Sequence, residues 1–153
     1  MPEDRALALS VARGAVTLAG ADSGEPAFAQ GALPGPPLLL LHGLTATRRY
    51  VVHGSRALQR SGHRVIAYDA RGHGASTPAP GRAYGYEHLA GDVVEVLDAL
   101  GIERALLAGA SMGAHTAVRV ALDHPQRVAA LALVTPAHVP GDDVRHPAEA
   151  AEG

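Results

Sequence analysis

The sequence predicts an α/β fold, a mostly parallel sheet with helices on both faces, and three observations carry that expectation. Short apolar runs at 38–41, 64–69, 104–110 and 128–134 alternate with longer stretches whose apolar residues recur at helical spacing. One of those runs, LLLL, has no polar side at all, which is expected of a strand buried on both faces. The aromatic share is 3% within a hydrophobic share of 47%, so the core must be built from Ala, Val and Leu, whose small side chains suit close packing of helix on sheet.

Element by element, Leu7, Leu9 and Val11 alternate with small or polar residues, as do Val16 and Leu18, and Arg13-Gly14 between them points to a β-hairpin. A loop rich in Gly, Pro and Ala is expected from Gly20 to Pro37, followed by the LLLL strand, which runs straight into His42-Gly43. The pattern over 48–60 is compatible with a helix stopped by Ser61-Gly62, and RVIAYD after it is the next strand. After the turn ARGHGAST, Leu89, Val93, Val96, Leu97 and Leu100 define a helix with Gly101 as its stop. RALLAGA is a strand, MGAHTAVRVALDHP a helix ended by Pro125, and VAALALV a last strand. Beyond Val134, prolines at 136, 140 and 147 and the absence of apolar periodicity predict a disordered tail.

Composition narrows the function. At 153 residues the chain accommodates one domain with a real core. A formal net charge of -2 and scattered basic residues give no footprint for nucleic acid or a membrane surface. There are no cysteines, which excludes disulfides and thiolate chemistry, and two acids stand where a secretory signal would be basic, so a cytoplasmic protein is expected. The longest wholly apolar run is far short of the ~20 residues a membrane helix needs.

The chemistry concentrates at Gly109-Ala110-Ser111-Met112-Gly113, a G-x-S-x-G between a strand and a helix. A nucleophile lifted clear of a sheet needs a tight, strained turn, and glycines two residues either side keep strand and helix backbones from clashing. Ser111 stands where a helix begins, so unpaired N–H groups and the positive dipole end face whatever is bonded to it. The plain alternative is an ordinary Gly/Ser connection. Two further motifs weigh against it: HGLTATRR after the LLLL strand and YDARGHGAS after the next one.

With those three motifs in that order on those elements, the chain resembles the α/β-hydrolase fold family from the first hairpin to about Pro136. The resemblance implies Ser111 as nucleophile and the backbone N–H groups of Leu44 and Met112 as oxyanion donors. It gives His42, Gly43, Gly109, Gly113 and Asp69 roles in shaping the elbow and its neighbouring loops, and it calls for no cofactor and no metal. The implied substrate is a small-molecule ester or other acyl compound, the implied reaction acyl transfer to water. A serine at the elbow disfavours the dehalogenase members, which use aspartate.

The same resemblance raises a difficulty. A serine needs a base, and the base a carboxylate; in this family they follow the serine in the order Ser, Asp or Glu, His. The chain is expected to be an α/β-hydrolase-like core truncated after about the sixth strand, with 1–136 a partial core domain and 137–153 a tail or the start of a missing cap. Asp142 or Asp143 with His146 has the right order but lies on the Pro-rich tail, and His138, His146 and the two aspartates there would gather no more than an adventitious ion. His115, four residues after Ser111, is expected to be packed or capping, and His42 and His73 structural. A second reading is therefore a catalytically inactive fragment or pseudoenzyme that binds a partner or ligand, and Val128–Val134 becomes an exposed apolar edge able to mediate self-association. A dinucleotide-binding domain is disfavoured because LLLLHGLTAT lacks G-x-G-x-x-G, and a phosphate-loop NTPase because its motif is absent.

Overall fold

The computed structural model describes residues 6–26, 35–51 and 56–134. The hairpin is present as β1 (Leu7–Arg13) and β2 (Val16–Asp22), antiparallel and joined by Gly14-Ala15, with Gly14 at φ 59°. Then follow β3 (Leu38–Leu41), a single 3-10 turn at Arg48–Tyr50, α1 (Ala57–Arg60), β4 (Val65–Tyr68), α2 (Tyr86–Ala99), β5 (Ala105–Ala110), α3 (Met112–Asp123) and β6 (Val128–Val134). The sheet order is β1-β2-β4-β3-β5-β6, with β4, β3, β5 and β6 parallel and the hairpin antiparallel at one edge.

Two expectations need correction. The loop expected from Gly20 begins later, because Gly20, Ala21 and Asp22 pair with Leu9, Ala8 and Leu7 of β1 on one side and with Tyr68, Ala67 and Ile66 of β4 on the other. Gly20 permits that approach: a Cβ there would lie 2.6 Å from the Ala67 carbonyl oxygen. The helix drawn over 48–60 is instead a 3-10 turn and the four-residue α1; the first turn is tied down by the Arg48 N–H donating to the Asp69 carboxylate at 2.8 Å. Residues 52–55 lie outside the described residues, as does the tail from 135 onward.

Alternation along the strands sends side chains to two different cores. Leu39, Leu41, Ile66, Tyr68 and Leu107 face α2 and α3, joining Val93, Val96, Leu97, Ala117 and Val120. Leu38, Leu40 and Val65 face the other way, with Leu58 of α1 packed against them. Each fully buried Val or Leu contributes about 1.5–3 kcal/mol relative to exposure, so the α2–α3 face holds most of the stability. Helix α2 ends as its glycine implies: Gly101 takes φ 66°, and the Ile102 N–H reaches back to the Leu97 carbonyl at 2.8 Å.

One charged group breaks the apolar stripe of α2. Asp92 is fully buried, accepts two 2.7 Å bonds from the Arg71 guanidinium and one of 3.1 Å from Arg13. It thereby joins α2 to the turn after β4 and to the hairpin. β6 sits at the opposite edge of the sheet, bonded only to β5 among the described strands, with Leu131, Leu133 and Val134 exposed.

Candidate active site

At the end of β5 the chain turns sharply into α3, and Ser111 is the residue at the corner. Its backbone has φ 51° and ψ -112°, a conformation that favours glycine and costs a serine about 1–3 kcal/mol. Two bonds over-determine it. The Ser111 N–H donates to Val134 at the end of β6 (3.0 Å), and its carbonyl accepts the His115 N–H (3.1 Å), opening the helix. The side chain makes no capping bond to its own helix.

Both motif glycines are there for want of space. A Cβ on Gly109 would lie 2.2 Å from the Gly113 carbonyl oxygen, and one on Gly113 would lie 2.1 Å from the Leu41 carbonyl oxygen. Strand β3, strand β5 and helix α3 meet backbone to backbone at this point. Gly43 differs: a Cβ there would make only ordinary contact, 3.6 Å from the Ser111 Cβ. The loop after β3 therefore passes directly beside the serine. Met112 opens α3, where first-turn N–H groups have no carbonyl one turn back. Leu44 is on the loop beside the corner with its side chain 65% exposed.

His42 is buried under that loop. Its Nδ1 stands 2.7 Å from the Gly43 carbonyl oxygen and its Nε2 2.9 Å from the Ala70 N–H. A carbonyl only accepts and an N–H only donates, so the ring is the neutral Nδ1–H form. Burial lowers its pKa below the ordinary histidine value, against a smaller raising effect of the Gly43 carbonyl. His73 lies 5.1 Å from it, centroid to centroid, between the carbonyls of Arg71 (2.9 Å) and Leu44 (2.7 Å). His42 is thus bonded to backbone through both nitrogens, whereas His73 faces two acceptors, of which a neutral ring donates to one. His115 packs on Tyr86 with ring centroids 5.6 Å apart. Asp142, Asp143, His138 and His146 lie outside the described residues.

Asp69 is the centre of the turn after β4. It accepts from the Arg48 N–H, from the Arg48 guanidinium and from the Ala75 N–H. Gly74, at φ 48°, curls so tightly around it that a Cβ would lie 2.4 Å from the carboxylate. Ser76 closes the turn, donating to the Asp69 carbonyl and accepting the Ala19 N–H. The sequence pattern did not single out Asp92 or Arg48, the partners of Arg71 and Asp69. A signal for Asp92 was available: it stands three residues after Leu89 and four before Val96, an acid on a buried stripe that requires a cation.

A cleft under the corner, bounded by Leu41, His42, Tyr68 and Met112 among others, holds about 10 Å³, at the limit for one water molecule. Among the described residues no cluster of three His, Cys, Asp or Glu could hold a metal ion, and no helix is long and apolar enough to cross a membrane.

Comparison with known proteins agrees with this geometry. The chain is 41% identical over 99 residues to sn-1-specific diacylglycerol lipase ABHD11 of Xenopus tropicalis, covering 64% of this chain and 30% of that protein. It is 42% identical over 96 residues to Epoxide hydrolase B of Mycobacterium tuberculosis, covering 62% and 27%. The crystal structure of Epoxide Hydrolase A from Mycobacterium thermoresistibile superposes with a TM-score of 0.75 at 31% identity, covering 97% of this chain and 44% of that one. The chain therefore spans less than half the length of these relatives. The profile of the α/β hydrolase fold matches residues 36–152, most of the chain; with the sheet order and the serine corner, this establishes that the chain belongs to the α/β-hydrolase fold family.

Proposed function

We propose that Ser111 is the nucleophile of a hydrolase acting on acyl compounds, with the N–H groups of Leu44 and Met112 as oxyanion donors. The observation that carries this reading is the strained backbone of Ser111 between two glycines that admit no side chain. Oγ would attack a carbonyl carbon, the carbonyl oxygen would take the negative charge between the two N–H groups, and collapse would expel the alcohol or amine and leave an acyl-serine ester. Water then attacks that ester by the same route.

The similar proteins bear names of lipase and epoxide hydrolase type, and chemistry distinguishes between them. A serine that opened an epoxide would become an ether, which water does not cleave under these conditions. A serine that attacks an ester or a lactone becomes an ester, which water does cleave. Acyl substrates are therefore the class that allows turnover at Ser111. The reading places this activity in the cytoplasm, consistent with a chain that has no cysteine.

A second reading rests on the histidines. His42 and His73 have both ring nitrogens facing backbone groups, and His115 packs on Tyr86 with the rings tilted. On this reading the described residues supply no general base to Ser111, the chain is inactive alone, and β6 offers an edge for a second copy. Labelling with a fluorophosphonate probe, beside Ser111→Ala and p-nitrophenyl acetate turnover, separates the two. Ser111-dependent labelling with turnover supports the hydrolase; silence from folded protein supports the inactive fragment. Labelling that persists in Ser111→Ala overturns the nucleophile assignment.

A further inference from the structure

We infer that His42 and His73 are positioning residues that set the orientation of two successive peptide groups beside Ser111, the first of which carries the Leu44 N–H. This rests on the reading of that N–H as an oxyanion donor. The Gly43 carbonyl and the Leu44 N–H are opposite edges of one planar peptide, so fixing one aims the other. The Gly43 oxygen is fixed twice, by His42 Nδ1–H at 2.7 Å and by the Ala46 N–H at 3.1 Å. The next peptide is held through the Leu44 carbonyl, which faces His73 Nε2 at 2.7 Å.

The far sides of the two rings face a separate part of the chain. His42 Nε2 accepts the Ala70 N–H and His73 Nδ1 faces the Arg71 carbonyl, both in the turn after β4. That turn is itself rigid, because Arg71 is clamped to buried Asp92 and Asp69 to Arg48. The loop after β3 is short of apolar anchors of its own, with Leu44 exposed and Gly43 lacking a side chain. The His42 ring, bonded to both segments, thus transmits the rigidity of the turn to the donor loop, while the His73 ring packs 5.1 Å from it, centroid to centroid, and donates to the Leu44 carbonyl. An oxyanion donor is worth most when it needs no reorganisation at the moment of reaction.

Paired substitutions isolate the effect. In His42→Asn the side-chain amide stands near the Nδ1 position and can still donate to Gly43; in His42→Gln it stands near Nε2 and can replace only the contact with Ala70. The experiment measures backbone ¹⁵N order parameters of the Leu44 and Thr45 amides in the full chain, and Ser111 labelling by a fluorophosphonate. A rigid amide gives about 0.85 and a flexible one falls below about 0.6. Leu44 is expected to stay rigid in His42→Asn and to loosen in His42→Gln, whereas His73→Ala loosens Thr45 first. Labelling should be at least about tenfold faster in His42→Asn than in His42→Gln, part of the 10²–10³ that loss of a whole donor costs. Equal order parameters in the two His42 variants overturn the inference, whatever Ser111 does. The expected order parameters with an unlabelled wild-type Ser111 overturn the nucleophile reading and leave the positioning role standing.

Discussion

The turn after β4 and the corner at Ser111 hold equally sharp bends by opposite means. The turn is held by polar bonds: Asp69 gathers three donors, Arg71 two oxygens of Asp92, and Ser76 both donates and accepts. The corner has backbone bonds only and is shaped by exclusion: Ser111 is bonded to Val134 and His115, and Gly109 and Gly113 let three backbones touch where nothing larger fits. A bend made of side-chain ion pairs depends on charge, whereas a bend made of close backbone contact depends on volume. The two regions meet where the loop after β3, beside Ser111, faces the turn after β4 through His42 and His73.

The largest effect should come from volume. Alanine is ordinarily about 1 kcal/mol better than glycine inside a helix, yet Gly113→Ala drives a Cβ into the Leu41 carbonyl and should cost about 4 kcal/mol or more. Urea denaturation or failure to recover folded protein reads this; a stabilised Gly113→Ala would remove the exclusion argument. Next comes the buried charge. Asp92→Asn leaves the Arg71 guanidinium, 4% exposed, without its anion and should cost about 3–5 kcal/mol, seen as a lowered urea midpoint.

Ser111→Gly tests the strain directly. Relief of about 1–3 kcal/mol is offset by the ~0.5–1 kcal/mol of extra unfolded-state freedom of glycine. Ser111→Gly should therefore be more stable than Ser111→Ala by about 1 kcal/mol, and thermal melts of the two would decide it. The smallest effect is in proton uptake. His42 has its pKa lowered by burial, so the unfolded chain binds that proton more readily than the folded one. Its contribution is complete above the unfolded value of about 6.5 and is lost as pH falls through the lower folded value.

Asp22 behaves likewise further down. Burial raises its pKa, but hydrogen bonds from Arg64 and the Gly24 N–H with the Arg64 charge outweigh this, so the net value is lowered. Its contribution is present above about 3.9 and lost as pH falls through the folded value. Urea midpoints measured between pH 8 and 5 should decline in the wild type and flatten in His42→Asn. Unchanged slopes in that variant would assign the decline to other groups.

Much of this was legible in the chain. The periodicity of Leu89, Val93, Val96 and Leu97 gave α2, and the wholly apolar LLLL gave a strand buried on both faces, because burial on one side or two leaves its period in the sequence. The serine corner was readable for a similar reason: a steric requirement on a five-residue turn is local, and glycines record it. Legibility failed where an element depended on distant partners. β2 continues to Asp22 between Leu7 of β1 on one side and Ile66 of β4, 44 residues away, on the other, and the helix over 48–60 gives way to a 3-10 turn whose first N–H is bonded to Asp69, 21 residues away.

Sequence alone thus determined the layer architecture, the glycine-framed serine and the polar turn motif, each set by steric and hydrophobic rules that act over a few residues. Tertiary structure decided which carbonyls His42 and His73 face, which cation balances Asp92, and how the turn after β4 supports the loop beside Ser111. Those are meetings between residues far apart in the chain. A local pattern can state that such a group needs a partner, but only the folded arrangement of strands selects the partner.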